Sequence, residues 1–87
     1  MLTTRVWPIA IHLTDADGHT HAEAVLASGA TEALRGKGYA RCDPSGVDVA
    51  EIGDELAAAR ALADLSTQLL AAAAEDVQAV RAKIPGG

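Results

Sequence analysis

The feature that most narrows the fold is a change of hydrophobic period near residue 44. Before it, apolar side chains recur at every second residue; after it, at every third or fourth. Period two describes a strand with one covered face, and period 3.6 a helix with one covered stripe. A chain of 87 residues has room for one domain. Strands and helix must therefore bury their apolar sides against each other.

In the first half, RVWPIAIHL over residues 5–13 sets Trp7, Ile9, Ile11 and Leu13 on one side and Val6, Pro8, Ala10 and His12 on the other. That is the pattern of a half-buried strand. Pro8 has no backbone N–H, which suits an edge strand or an unpaired position. TDADG follows, and its Asp17-Gly18 is a tight-turn signal. Residues 19–27, HTHAEAVLA, read as a second strand, with Ala22, Ala24 and Leu26 toward the core and His21, Glu23 and Val25 away from it. A connection from Ser28 to Ala33 leads to a third strand over residues 34–42. There Leu34, Gly36, Gly38, Ala40 and Cys42 point inward, and Arg35, Lys37, Tyr39 and Arg41 outward. Asp43 to Gly46 is a loop turned by Pro44. The three strands read as an antiparallel meander.

The second half opens on Asp48 and Glu51, spaced as a capping box that satisfies two orphan N–H groups. Glu51, Asp54 and Glu55 also suit the positive end of a helix dipole. The helix is expected over residues 48–73. Ala71–Ala74 would mark a kink or break before a short helix over 76–83, and Pro85-Gly86-Gly87 would end it. Ile52, Leu56, Ala59, Leu62, Ala63, Leu65, Leu69, Leu70, Val77 and Val80 fall on one half of the circumference. Arg60, Asp64, Thr67, Gln68, Glu75 and Gln78 fall on the other. The expected fold is α+β, a three-stranded antiparallel meander followed by a long C-terminal helix. Gly36, Gly38 and Ala40 lack bulk on the core face, and so does the alanine-rich helix, so the two backbones should approach closely. A straight helix of this span, roughly 50 Å long at 1.5 Å per residue, outlasts so small a sheet. Leu69, Leu70, Val77 and Val80 then need another surface, and a homodimer is the expected source.

Composition limits what the fold can do. The chain has no Phe, one Trp, one Tyr and one Cys, so large core side chains are scarce and a partner helps. Cys42 has no second cysteine for a disulfide or zinc site, as expected of a cytoplasmic protein. No apolar run approaches the roughly 18 residues of a membrane span. MLTTRVWP lacks the apolar middle of a signal peptide. The net charge of −5 lies wholly in residues 43–87, because acids and bases balance in residues 1–42. Such a domain repels polyanions overall, although a local basic patch remains open to it.

LRGKGYARCD, residues 34–43, is the stretch richest in candidate chemistry. Its GKG has neither the spacing of a P-loop nor the third glycine of a dinucleotide loop. Arg35, Gly36, Gly38 and Tyr39 match part of an RNA-recognition signature, but Lys37 and Cys42 replace aromatics. The outer sheet face would gather Arg35, Lys37, Tyr39, Arg41, His12 and His21 against Glu23. That row is either a binding face or a solvated face guarding a strand edge. His19 and His21 would point the same way, with His12 on the next strand, yet no fourth ligand follows, so neither metal nor cofactor is expected. No nucleophile–base or acid–base set emerges, and no enzyme is expected.

The run EIGDELAAARALADL from Glu51 to Leu65, preceded by G-x-G-x-A-R-x-D-P from Gly36 to Pro44, resembles a family of small actinobacterial proteins of unknown function. Members include mycobacterial dormancy-associated proteins. The resemblance covers residues 5–80 and includes Trp7, Ile9 and Ile11, but not Lys37, Tyr39, His12 or HTH at 19–21. It implies a β-β-β-α core like that of double-stranded-RNA-binding domains (dsRBD-like), commonly dimeric, with a likeness in shape to ribosome hibernation factors. Asp48, Glu51, Asp54 and Glu55 stand where a dsRBD carries its basic patch, so duplex binding in that mode is not expected. The resulting expectation is a cytoplasmic, non-enzymatic homodimer, stress-associated, whose partner is a protein. The alternative is a ribosome or RNA met by the outer sheet face.

Overall fold

A computed structural model describes residues 2–28, 33–41 and 50–83, with the helix side chains from Ile52 onward. Three strands, β1 (Ile9–Ala16), β2 (His19–Leu26) and β3 (Leu34–Arg41), form an antiparallel sheet in the order β1-β2-β3. One helix follows, α1 (Ala50–Lys83). Cys42, the Asp43–Gly46 loop, Asp48 of the capping box, residues 29–32 and Pro85–Gly87 lie outside the described residues.

Asp17 and Gly18 form the β1–β2 turn with φ of 50° and 74°. Two consecutive left-handed residues make the mirror-image turn that matches the twist of a hairpin. This turn pairs Ala16 with His19 and extends the ladder through Thr14 and Asp15. The first strand accordingly lies at 9–16 rather than 5–13, and residues 5–8 precede it. Its apolar parity is kept: Ile9, Ile11 and Leu13 pair with Leu26, Ala24 and Ala22.

The core is small and made of small residues. Ala22, Ala24, Leu26 and Ala40 from the sheet meet Ala57, Ala61 and Leu65 from α1. Thr20 is buried among them, and its hydroxyl donates to Asp15 Oδ1 at 2.7 Å. That bond supplies the partner a buried hydroxyl requires.

Gly36 and Gly38 set how close the helix comes. A Cβ on Gly36 would collide with the Ala61 carbonyl and lie 2.8 Å from Leu65 Cα. One on Gly38 would collide with the Ala57 carbonyl and Ala61 N, and lie 2.9 Å from the Arg60 carbonyl carbon. Backbone therefore rests on backbone. The buried helix line is Ala57–Ala61–Leu65, spaced i, i+4, i+8, rather than the centre of the broad leucine-rich stripe. Ile52, Leu56 and Leu62 stay exposed, because only alanine fits opposite the glycines.

The polar side of the helix does not face water alone. Gln68 Nε2 donates to the Arg35 carbonyl at 2.7 Å. Lys37 N–H donates to Asp64 Oδ2 at 2.8 Å, and Arg60 Nη1 donates to the Tyr39 carbonyl at 2.6 Å. Arg60, Asp64 and Gln68 repeat every four residues, about 6 Å along a helix, and the β3 groups repeat every two, about 7 Å along a strand. The two spacings nearly match, so one helix face hydrogen-bonds the outer edge of β3.

α1 rests on β3 and β2 and barely touches β1. Trp7, Ile9, Ile11 and Leu13 retain between 37% and 51% of their surface, so the strand expected to be half-buried is uncovered. The helix also runs unbroken through Ala71–Ala74, and the expected separate helix over 76–83 is part of α1. Alanine has the highest helix propensity, and four in a row continue a helix rather than break it. Beyond Ala72 every helix residue is exposed.

Gly38→Ala should lower unfolding free energy by about 3 kcal/mol in urea titration, since the overlap is with backbone that cannot rotate away. Gly18→Ala, which meets no atom within 4 Å but keeps a positive φ, should cost about 1 kcal/mol. Asp64→Ala should cost about 1 kcal/mol and promote aggregation, by removing the acceptor of an edge N–H.

Candidate binding face

Because the helix covers one face of the sheet, the other is open, and its residues follow from the register. His12, Glu23 and Lys37 form one row across the strands; Thr14, His21 and Tyr39 form the next. Ala16, His19 and Arg41 form a third, and Ala10, Val25 and Arg35 a fourth. The structure therefore brings Arg35, Lys37, Tyr39, Arg41, His12 and His21 onto one surface.

Its charge is one-sided. Glu23 is the only carboxylate in these rows, and it accepts from Arg35 Nη1 at 2.7 Å rather than from Lys37 directly opposite. A pair so exposed contributes little stability, but it neutralises one cation locally. Lys37 and Arg41 stand without a carboxylate in their own rows other than Glu23. The β3 cations face outward because Arg35, Lys37 and Arg41 alternate with Gly36, Gly38 and Ala40, which face the helix.

Tyr39 remains 53% exposed, with its ring held against His21. The ring centroids are 4.8 Å apart and nearly perpendicular, an edge-to-face cross-strand pair. This contact fixes the Tyr39 ring while leaving a face of it to solvent. His19 and His21 lie on the same face as expected, but among the described residues no three His, Cys, Asp or Glu side chains group as a metal site would require. Among those residues, too, no helix is long and apolar enough to cross a membrane.

A second surface is apolar. Trp7, Ile9, Leu62, Ser66 and Leu69 line a groove of about 230 Å³ between β1 and α1. Further along, Val77 and Val80 flank a shallow depression with Asp76 and Arg81. Leu69, Leu70, Val77 and Val80 are all exposed, Leu70 by 70%. Pattern reading found the helix part of this surface. It missed the β1 part, because alternation says which side chains share a face and not whether anything lies upon it.

Three comparisons bear on the whole chain. Residues 5–84 match the model of a family described as Rv2632c-like. The uncharacterized protein Rv2632c of Mycobacterium tuberculosis is 46% identical over 71 residues, 82% of this chain and 75% of that one. The uncharacterized protein Mb1767 of Mycobacterium bovis is 42% identical over 74 residues, 85% of this chain and 78% of its own length. The crystal structure of Rv2632c superposes with a TM-score of 0.84 at 39% identity, covering 98% of each chain.

Glu23→Gln should change stability by less than about 1 kcal/mol in urea titration, and by less still at high salt, since the Arg35–Glu23 pair is exposed.

Proposed function

This chain belongs to the Rv2632c-like family, and from that premise we propose that it acts as a non-enzymatic homodimeric binding module of the cytoplasm, stress-associated, with a protein partner. The observation that carries this is the apolar surface the fold leaves uncovered. Among the described residues no layer lies above the inner face of β1, and α1 projects Leu70, Val77 and Val80 beyond the sheet. A core of five alanines and a few leucines does not spare so many large side chains without reason. A second copy is the simplest cover, since an isologous contact needs only one surface type.

Sedimentation equilibrium at micromolar concentration should give twice the 8.9 kDa chain mass. A single-chain mass throughout would overturn the dimer. Stress association is tested in the native host by protein level, which should rise when growth arrests.

A second reading rests on the outer face. Arg35, Lys37 and Arg41 beside an exposed Tyr39 combine phosphate-binding charge with a stacking ring, the usual requirements of single-stranded RNA. Filter binding at low salt should then retain single-stranded RNA or ribosomes. Retention should fall steeply as salt rises and vanish in a Lys37→Glu, Arg41→Glu double variant. No retention at low salt would remove this reading.

A further inference from the structure

The two edges of the sheet differ. On β3 the outward backbone groups at Arg35, Lys37 and Tyr39 are occupied by Gln68, Asp64 and Arg60. Among the described residues, β1 has no such cover. The Pro8 carbonyl accepts from Ala27 N at 3.2 Å, so Pro8 turns its backbone toward β2. Alternation along an antiparallel ladder then turns Ala10, His12 and Thr14 toward β2 as well, and turns Ile9, Ile11 and Leu13 outward. The proline that could have blunted this edge faces the wrong way to do so. Nor does any Lys or Arg occur between Ile9 and Ala16, the usual guards of an exposed edge.

We propose that the β1 edge is the seam of the dimer, joining two copies through antiparallel β1–β1 pairing into one continuous six-stranded sheet. This rests on the homodimer reading above and places its contact on the strand rather than on the helix tail. The register follows from the side chains. A two-fold axis at Ile11 sets Ile11 against its own copy and Ile9 against Leu13 of the other. Apolar then meets apolar on the helix-side face, and each pair exchanges both of its N–H···O bonds. Ala10 falls opposite His12, so neither histidines nor like charges face each other at the seam.

Two residues either side of Ile11 stand Ile9 and Leu13, both apolar and on the face of Ile11, as a two-fold contact of a segment with itself demands. β3 could not serve. Its edge is occupied, and self-pairing would set the Arg35–Lys37–Arg41 row against its own copy. A second copy is favoured over an unrelated strand because this one segment supplies both halves of the complement.

Three variants test the seam in the full chain. In a Cys42→Ser background, Ile11→Cys should form an intermolecular disulfide under mild oxidation, since Cα atoms of a hydrogen-bonded pair lie about 5.5 Å apart, within disulfide reach. Ile11→Lys should weaken dimerisation at least roughly tenfold while leaving the circular dichroism of the fold intact, because it sets like charges face to face at a side chain already exposed. Glu75→Gln, at an exposed helix position outside both apolar surfaces, should leave the dimer unchanged. A wild-type chain that is monomeric at all concentrations would overturn both the dimer reading and this seam. A wild-type dimer that neither cross-links through Ile11→Cys nor weakens with Ile11→Lys would overturn the seam alone.

Discussion

The whole arrangement depends on the contact between the backbone of α1 and the backbone of β3 at Gly36 and Gly38. With no Cβ on the strand and only alanines at 57 and 61, helix and sheet approach until carbonyl and amide groups nearly touch the glycine Cα atoms. This closeness lets Arg60, Asp64 and Gln68 reach β3 carbonyl and amide groups. With a valine or leucine on the strand, the helix would ride higher, and the same side chains would end in water. One steric fact thus sets both the packing distance and the fate of a sheet edge.

The same contact leaves other surface bare. A single helix about 10 Å across cannot cover three strands spaced about 4.8 Å apart while hugging the outermost one. Committing α1 to β3 and β2 leaves β1 open, and continuing α1 without a kink carries its tail past the sheet. Were the helix broken at Ala71–Ala74, its last turns could fold back over Ile9 and Ile11. An unbroken helix cannot, and Ile9, Ile11 and Leu13 stay exposed. The asymmetry between a held edge and a bare one is therefore a consequence of where the glycines stand.

Much of the fold was legible in the residues. The Asp17-Gly18 turn, the parity of β2 and β3, the order of elements and the presence of a long helix all rest on local backbone preference and on which side chains share a face. So did membership of the outer row, since Arg35, Lys37, Tyr39 and Arg41 alternate on one strand and His12 and His21 occupy the matching parity on its neighbours. What escaped was lateral position. The helix stripe looked centred on its leucines, yet Ala57 and Ala61 carry the contact. Arg60, Asp64 and Gln68 were placed only on the helix half opposite the apolar residues, because periodicity registers polarity and not the presence of a strand edge alongside.

The sequence by itself determined the periods, the turn, the small residues at the contact and the charges on the outer strand. Each depends on a residue and its near neighbours along the chain. Only the tertiary structure decided which strand the helix sits on, which edge it holds and which apolar side chains stay uncovered. Those depend on the height and lateral offset of one element over another, set by the fit of Gly36 and Gly38 against residues more than 15 positions away.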